Sequence, residues 1–148
     1  MPAFIDTDNY EVKQADRKSA VFTNQTSVTN YSGTVFNLFV ERKINLLDKE
    51  NTENRLHTAI PQGLNFVAYE TDNKITNTGS NDWTKNKGLL SVWLLGMFTP
   101  SPKTIVIIPF HPVPNAKSYI TDNYFGNIPA ERLQIKDSIL YFTCDGKF

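Results

Sequence analysis

Two histidines, two tryptophans and one cysteine are the scarcest chemically versatile residues among the 148 of this chain. His111, in the stretch Phe110-His111-Pro112, can serve as a general acid or base, although a histidine in such a loop more often bonds to backbone. His57 sits in a polar stretch and has the weaker claim. Glu70 ends a run of alternating character and is the first carboxylate to consider beside His111 in an acid–base pair. Glu41 is placed similarly, and strand-end carboxylates are usually solvated. An indole face stacks on a sugar ring and its N–H bonds a hydroxyl, which makes Trp83 and Trp93 ligand candidates. Trp93 lies in a continuous apolar run, where core packing is the commoner role. Trp83 follows a turn, where it can lie over a sheet edge. Arg42, Asn73 and Asn77 supply the donors and acceptors that a sugar site uses.

Other chemistries find little support. His57 and His111 are far apart and no Cys/His cluster has ligand spacing, so no metal site is expected. There is no phosphate-binding glycine loop, dinucleotide fingerprint, Gly-x-Ser-x-Gly elbow or HExxH helix, and no cofactor is implied. Cys144 stands alone, cannot form an internal disulfide, and reads as a small buried hydrophobe. Asn24-Gln25-Thr26 and Asn30-Tyr31-Ser32 match the glycosylation pattern, as chance allows in a chain rich in Asn and Thr.

Lys plus Arg and Asp plus Glu both number 15, so no net field points to nucleic acid or a membrane surface. At 40% hydrophobic and 20% charged, the composition is that of a soluble globular domain. The first residues show no basic stretch leading into an apolar one, so no signal peptide is expected in the chain as given. That pattern leaves the compartment undetermined.

The elements that must position these residues are mostly strands. Residues 1–18 are polar and unpatterned and read as a loosely ordered lead-in to one domain over 19–148. In "TVFNLFVERKI", Phe36, Leu38, Val40 and Ile44 share one face, interrupted by Arg42, as in a half-buried strand. "LDKENTENRLHTA" (47–59) loses the rhythm and predicts a polar loop or short helix. "LNFVAYE" and "KIT" alternate again, and "NTGSND" (77–82) is a cluster of turn formers. "SYITDNYFG" (118–126) suggests a short strand and turn. "ERLQI" and "SILYFTC" flank Lys136-Asp137-Ser138 as hairpin arms do.

"GLLSVWLLGMFTPSPKTIVIIPF" (88–110) has nearly the length of a membrane span. Pro100 and Pro102 each lack an amide donor, and Lys103 would place a charge near the bilayer centre. The stretch therefore divides into two apolar runs around a turn. "TIVIIPF" predicts a strand with both faces covered. For "LLSVWLLGMF" a buried strand is favoured over a helix, because Gly96 weakens a helix and suits a bulge. The chain stops at "CDGKF", where a further hairpin partner is expected.

Residues 67–110 resemble a family of uncharacterised bacterial proteins with a galactose mutarotase-like domain. The Asn-Thr-Gly turn, Trp83 and the run Gly88 to Phe98 are its specific part. "NYSGTVFNLFVERKINLL" and "DNYFGNIPAERLQIKDSILYFTCDGKF" are similar to that family too, so the resemblance covers roughly 20–148. It implies a mainly β fold with little helix: an antiparallel β-sandwich, part of a larger supersandwich whose later strands follow Phe148. In mutarotases the turn leads to a strand with an active-site histidine in a His-x-Tyr-Phe pattern, and a late glutamate acts as base. Here that strand reads Leu90-Ser91-Val92-Trp93. An apolar residue cannot shuttle a proton, so the resemblance transfers no catalytic residue.

Three functions stay open on these grounds. The first is a carbohydrate-associated β-sandwich that binds sugar on a concave sheet face. The second is an epimerase, mutarotase or glycan-processing enzyme using His111 and Glu70. The third is an interaction module that self-associates through open sheet edges.

Overall fold

The computed structural model describes residues 2–124 and 126–147. The chain is mainly β and forms two antiparallel sheets, which fall into two units, Met1–Trp93 and Leu94–Phe148.

In the first unit a short helix α1 (Ala3–Asp6) precedes strands β1 (Glu11–Ala15), β2 (Ser19–Thr29) and β3 (Val35–Leu47). Helix α2 (Lys49–Leu56) and strand β4 (Ala68–Asn77) follow, and the sheet order is β1-β2-β3-β4. β3 carries the alternation expected of it. Phe36 and Leu38 are 4% and 2% exposed, Val40 and Ile44 are half-buried, and Val35 and Asn37 face out. Its ladders to β2 and β4 run without a bulge, so each residue opposite Phe36, Leu38, Val40, Arg42 or Ile44 lies on their face.

The connections follow from side chains that imitate backbone. Between β1 and β2, Asp16 accepts from the amides of Lys18 and Ser19, both at 2.7 Å, and from the Ser19 hydroxyl. The amide bonds, that of Lys18 first, hold the Asp16 carboxyl below the usual carboxylate range. Asp48 caps α2 by accepting from the Asn51 amide at 3.0 Å, which lowers its pKa in the same way. His57 ends that helix in the left-handed region at φ 51°. This is the short helix that the polar stretch 47–59 allows.

In the second unit, β5 (Ile105–Pro109), β6 (Leu133–Lys136) and β7 (Ile139–Thr143) form a sheet of order β5-β7-β6. The expected hairpin is β6–β7. Asp137 and Ser138 have φ values of 51° and 62°, the paired positive angles of a type I′ turn. Arg132 donates from Nη2 to the Thr143 carbonyl at 3.0 Å, pairs with Asp145, and stacks 5.6 Å over the Phe142 ring. With its side chains only 11% and 14% exposed, this pair fastens the segment before β6 to the one after β7. Cys144 is half-buried; its amide and carbonyl bond Thr104 and Ser101.

Several expectations are corrected. "LLSVWLLGMF" (89–98) is neither strand nor helix. Leu89, Val92, Trp93, Leu94, Leu95, Met97 and Phe98 are all exposed, so Trp93 has no core role. Apolar composition favours a strand, but a strand needs a hydrogen-bonded neighbour, and none among the described residues pairs with this run. β5 forms where expected, at the edge of its sheet beside β7, yet Ile105, Ile107 and Ile108 are exposed rather than covered. Residues 118–126 contain no strand among those described; a 3-10 turn (Ala116–Ser118) leads into irregular chain. Within the stretch read as a lead-in, β1 is a paired strand with a bulge at Lys13. Its residues are all exposed, which removes the apolar alternation that would reveal it.

Candidate functional site

The turn after β4 is built by one asparagine. Asn77 Oδ1 accepts from the Gly79 amide at 2.9 Å and its Nδ2 donates to the Asn81 carbonyl at 2.8 Å. Both ends of this amide are thus engaged in shaping the loop, as an Asx turn requires. The ladder extends one step past β4, since the Thr78 amide donates to the Asn37 carbonyl, and Gln25 Nε2 donates to the Thr78 hydroxyl. Ser27 in turn donates to Asn37 Oδ1.

The loop then returns over the start of β3. Trp83 packs edge-on against Phe36, with ring centroids 6.3 Å apart and planes at 77°. A tight turn from Thr84 to Gly88 follows, closed by the Gly88 amide on the Thr84 carbonyl at 2.8 Å. Gly88 has φ 118°, and a Cβ there would stand 3.0 Å from both Asn30 Nδ2 and Phe36 Cζ. Only glycine lets the backbone come this close. Asn30 Nδ2 donates to the Lys87 carbonyl at 2.8 Å, while its Oδ1 accepts from the Thr34 amide and Ser32 hydroxyl. The Asn30 glycosylation match is therefore a structural amide with no free end. Asn24, in the other match, sits half-buried within β2.

Between the loop and the start of β3 lies a cleft of about 370 Å³. Phe36 and Trp83 give it aromatic surface, and Asn37, Asn81, Asp82 and Lys87 give it polar groups. The indole Nε1 of Trp83 is buried and has no hydrogen-bond partner among the described residues. An unpartnered buried N–H is unfavourable by about 1–3 kcal/mol, so a shift of the indole that exposes it to an acceptor would be stabilising. The cleft thus offers aromatic surface, and a carboxylate and amides suited to hydroxyls.

The sequence candidates separate into groups. Asn77 and Trp83 line this cleft. Arg42 and Asn73 lie elsewhere on the sheet, directly opposite one another on β3 and β4. Asn73 Nδ2 donates to the Thr71 hydroxyl at 3.0 Å. Glu70 is on the other face, paired with Arg55 at 2.9 Å and accepting from Asn45 at 3.4 Å. His111 is exposed in the second unit, beyond β5, so it and Glu70 belong to different units. Sequence reading missed Phe36 as the platform for Trp83, and missed Asn30 and Gly88. The Gly88 signal was present as a glycine ahead of an apolar run. Among the described residues no group of three His, Cys, Asp or Glu side chains is placed to hold a metal ion. Nor is any helix among them long and apolar enough to cross a membrane.

A family model of unknown function, DUF6786, matches residues 1–148. The chain belongs to this family. No curated protein and no solved structure matches it. The DUF6786 assignment covers both sheets and the loop that carries the cleft.

Replacing Gly88 by alanine forces a strained positive φ and pushes on Phe36 and Asn30. The expected result is destabilisation by more than about 1 kcal/mol in denaturant unfolding. Trp83 fluorescence should shift to the red as the indole loses its seat.

Proposed function

We propose that the chain is a carbohydrate-binding β protein and that the cleft beside Trp83 is a sugar subsite. The observation that carries this reading is a polar cleft of about 370 Å³ lined by the Trp83 indole together with Asn37, Asn81 and Asp82. The resemblance of residues 67–110 to galactose mutarotase-like proteins supports the same ligand class. Neither His111 nor Glu70 lines the cleft, and the role proposed for it is binding.

Isothermal titration with a panel of hexoses and short glycans tests it. Weak binding is expected, reduced about tenfold or more in Trp83→Ala, on the scale of losing one stacked aromatic contact. Trp83→Phe, which keeps a ring against Phe36 but lacks the N–H, should lose several-fold. A panel without any binding contradicts the reading.

A second reading rests on a different observation. Ile105, Ile107 and Ile108 on edge strand β5, and Leu94, Leu95, Met97 and Phe98 in the same unit, are exposed. Exposed apolar edges invite pairing with another chain, so the protein self-associates through them. Light scattering should then give a mass that rises with concentration, and a constant monomer mass contradicts this.

A further inference from the structure

The central charges of β3 are not treated alike. On one face Glu41 stands opposite Lys74, and Lys43 opposite Asp72, so each has a complementary cross-strand neighbour. On the other face Arg42 stands opposite Phe22 on β2 and Asn73 on β4, and neither is acidic. Among the residues paired in register on that face it is the one charge, amid Phe22, Val40, Ile44 and Ile75. Arg42 is exposed and makes no ion pair among the described residues, while Phe22 and Asn73 are half-buried beside it. The Tyr10 phenol lies within the field of Arg42. Burial raises the Tyr10 pKa, partly opposed by that charge.

We propose that Arg42, set between Asn73 and Phe22 on the apolar face of the four-stranded sheet, binds the carboxylate of a small ligand. A guanidinium presents parallel N–H groups that match a carboxylate in one plane, and a low-polarity surround strengthens the contact. One cation balances one carboxylate, whereas a phosphate dianion would be left with uncompensated charge. Arg42 is six residues along β3 from Phe36, about 20 Å at the usual strand rise, so this site is distinct from the Trp83 cleft. The site does not depend on the carbohydrate reading, although a sugar acid is the natural probe if that reading holds.

The test is isothermal titration of the full chain with D-glucuronate, benzoate, D-glucose and inorganic phosphate. Glucuronate should bind about tenfold tighter than glucose, and Arg42→Lys should remove about that factor because an ammonium lacks the planar fork. Benzoate should show the same dependence on Arg42 without a sugar ring. The thermal melt of Arg42→Lys should match the parent. Glucuronate no tighter than glucose, carboxylate binding unchanged in Arg42→Lys, or phosphate bound as tightly as glucuronate would each overturn the proposal. Arg42-dependent benzoate binding with no glucose binding would uphold it while removing the sugar subsite.

Discussion

The constraint on which the first unit depends is the unbroken two-residue alternation of β3, held by ladders on both sides. Thirteen residues without a bulge fix which side chains share a face across three strands. A slip of one residue would send Phe36 and Leu38 to the polar side, so burial of those two side chains fixes the register. That register sets Asn77 opposite Leu38, and Asn77 then shapes the turn that returns Trp83 onto Phe36. The cleft is thus a consequence of strand pairing rather than of the loop sequence alone.

The same register gives the sheet two chemically different sides. One carries cross-strand pairs of opposite charge and the Glu70–Arg55 ion pair; the other is apolar apart from asparagines, threonines and Arg42. Charges compensated in register steady a sheet surface by a few tenths of a kcal/mol to about 1 kcal/mol each. An uncompensated arginine contributes no such term, although its aliphatic stem can lie over apolar neighbours. The second unit relies on a different device, an ion pair seated on an aromatic ring that joins the flanks of a hairpin.

Much of this was legible where local chemistry decides the outcome. The face of Phe36, Leu38, Val40 and Ile44, the turn at 77–82 and the 133–143 hairpin follow from alternation and turn residues. The interruption of that face by Arg42 was visible too, but its lack of a cross-strand carboxylate depends on the neighbours of two other strands. What escaped is what pairing decides. Residues 89–98 have the composition of a buried strand, but lie exposed and unpaired. β1 has almost no apolar signal and exists because β2 offers it an edge. Asn30 acts through a contact with a residue 57 positions away, which spacing along the chain does not reveal.

The chain has two indoles in opposite environments, Trp83 with its N–H buried and Trp93 exposed at 60%. Two-dimensional proton–nitrogen NMR separates their side-chain signals, which makes a hexose titration the most direct test of the sugar subsite. The Trp83 signal should exchange slowly with solvent and move as the sugar gains its hydrogen bond, while the Trp93 signal stays in place. A Trp83 signal that remains fixed at saturating hexose, or movement confined to Trp93, would contradict the account.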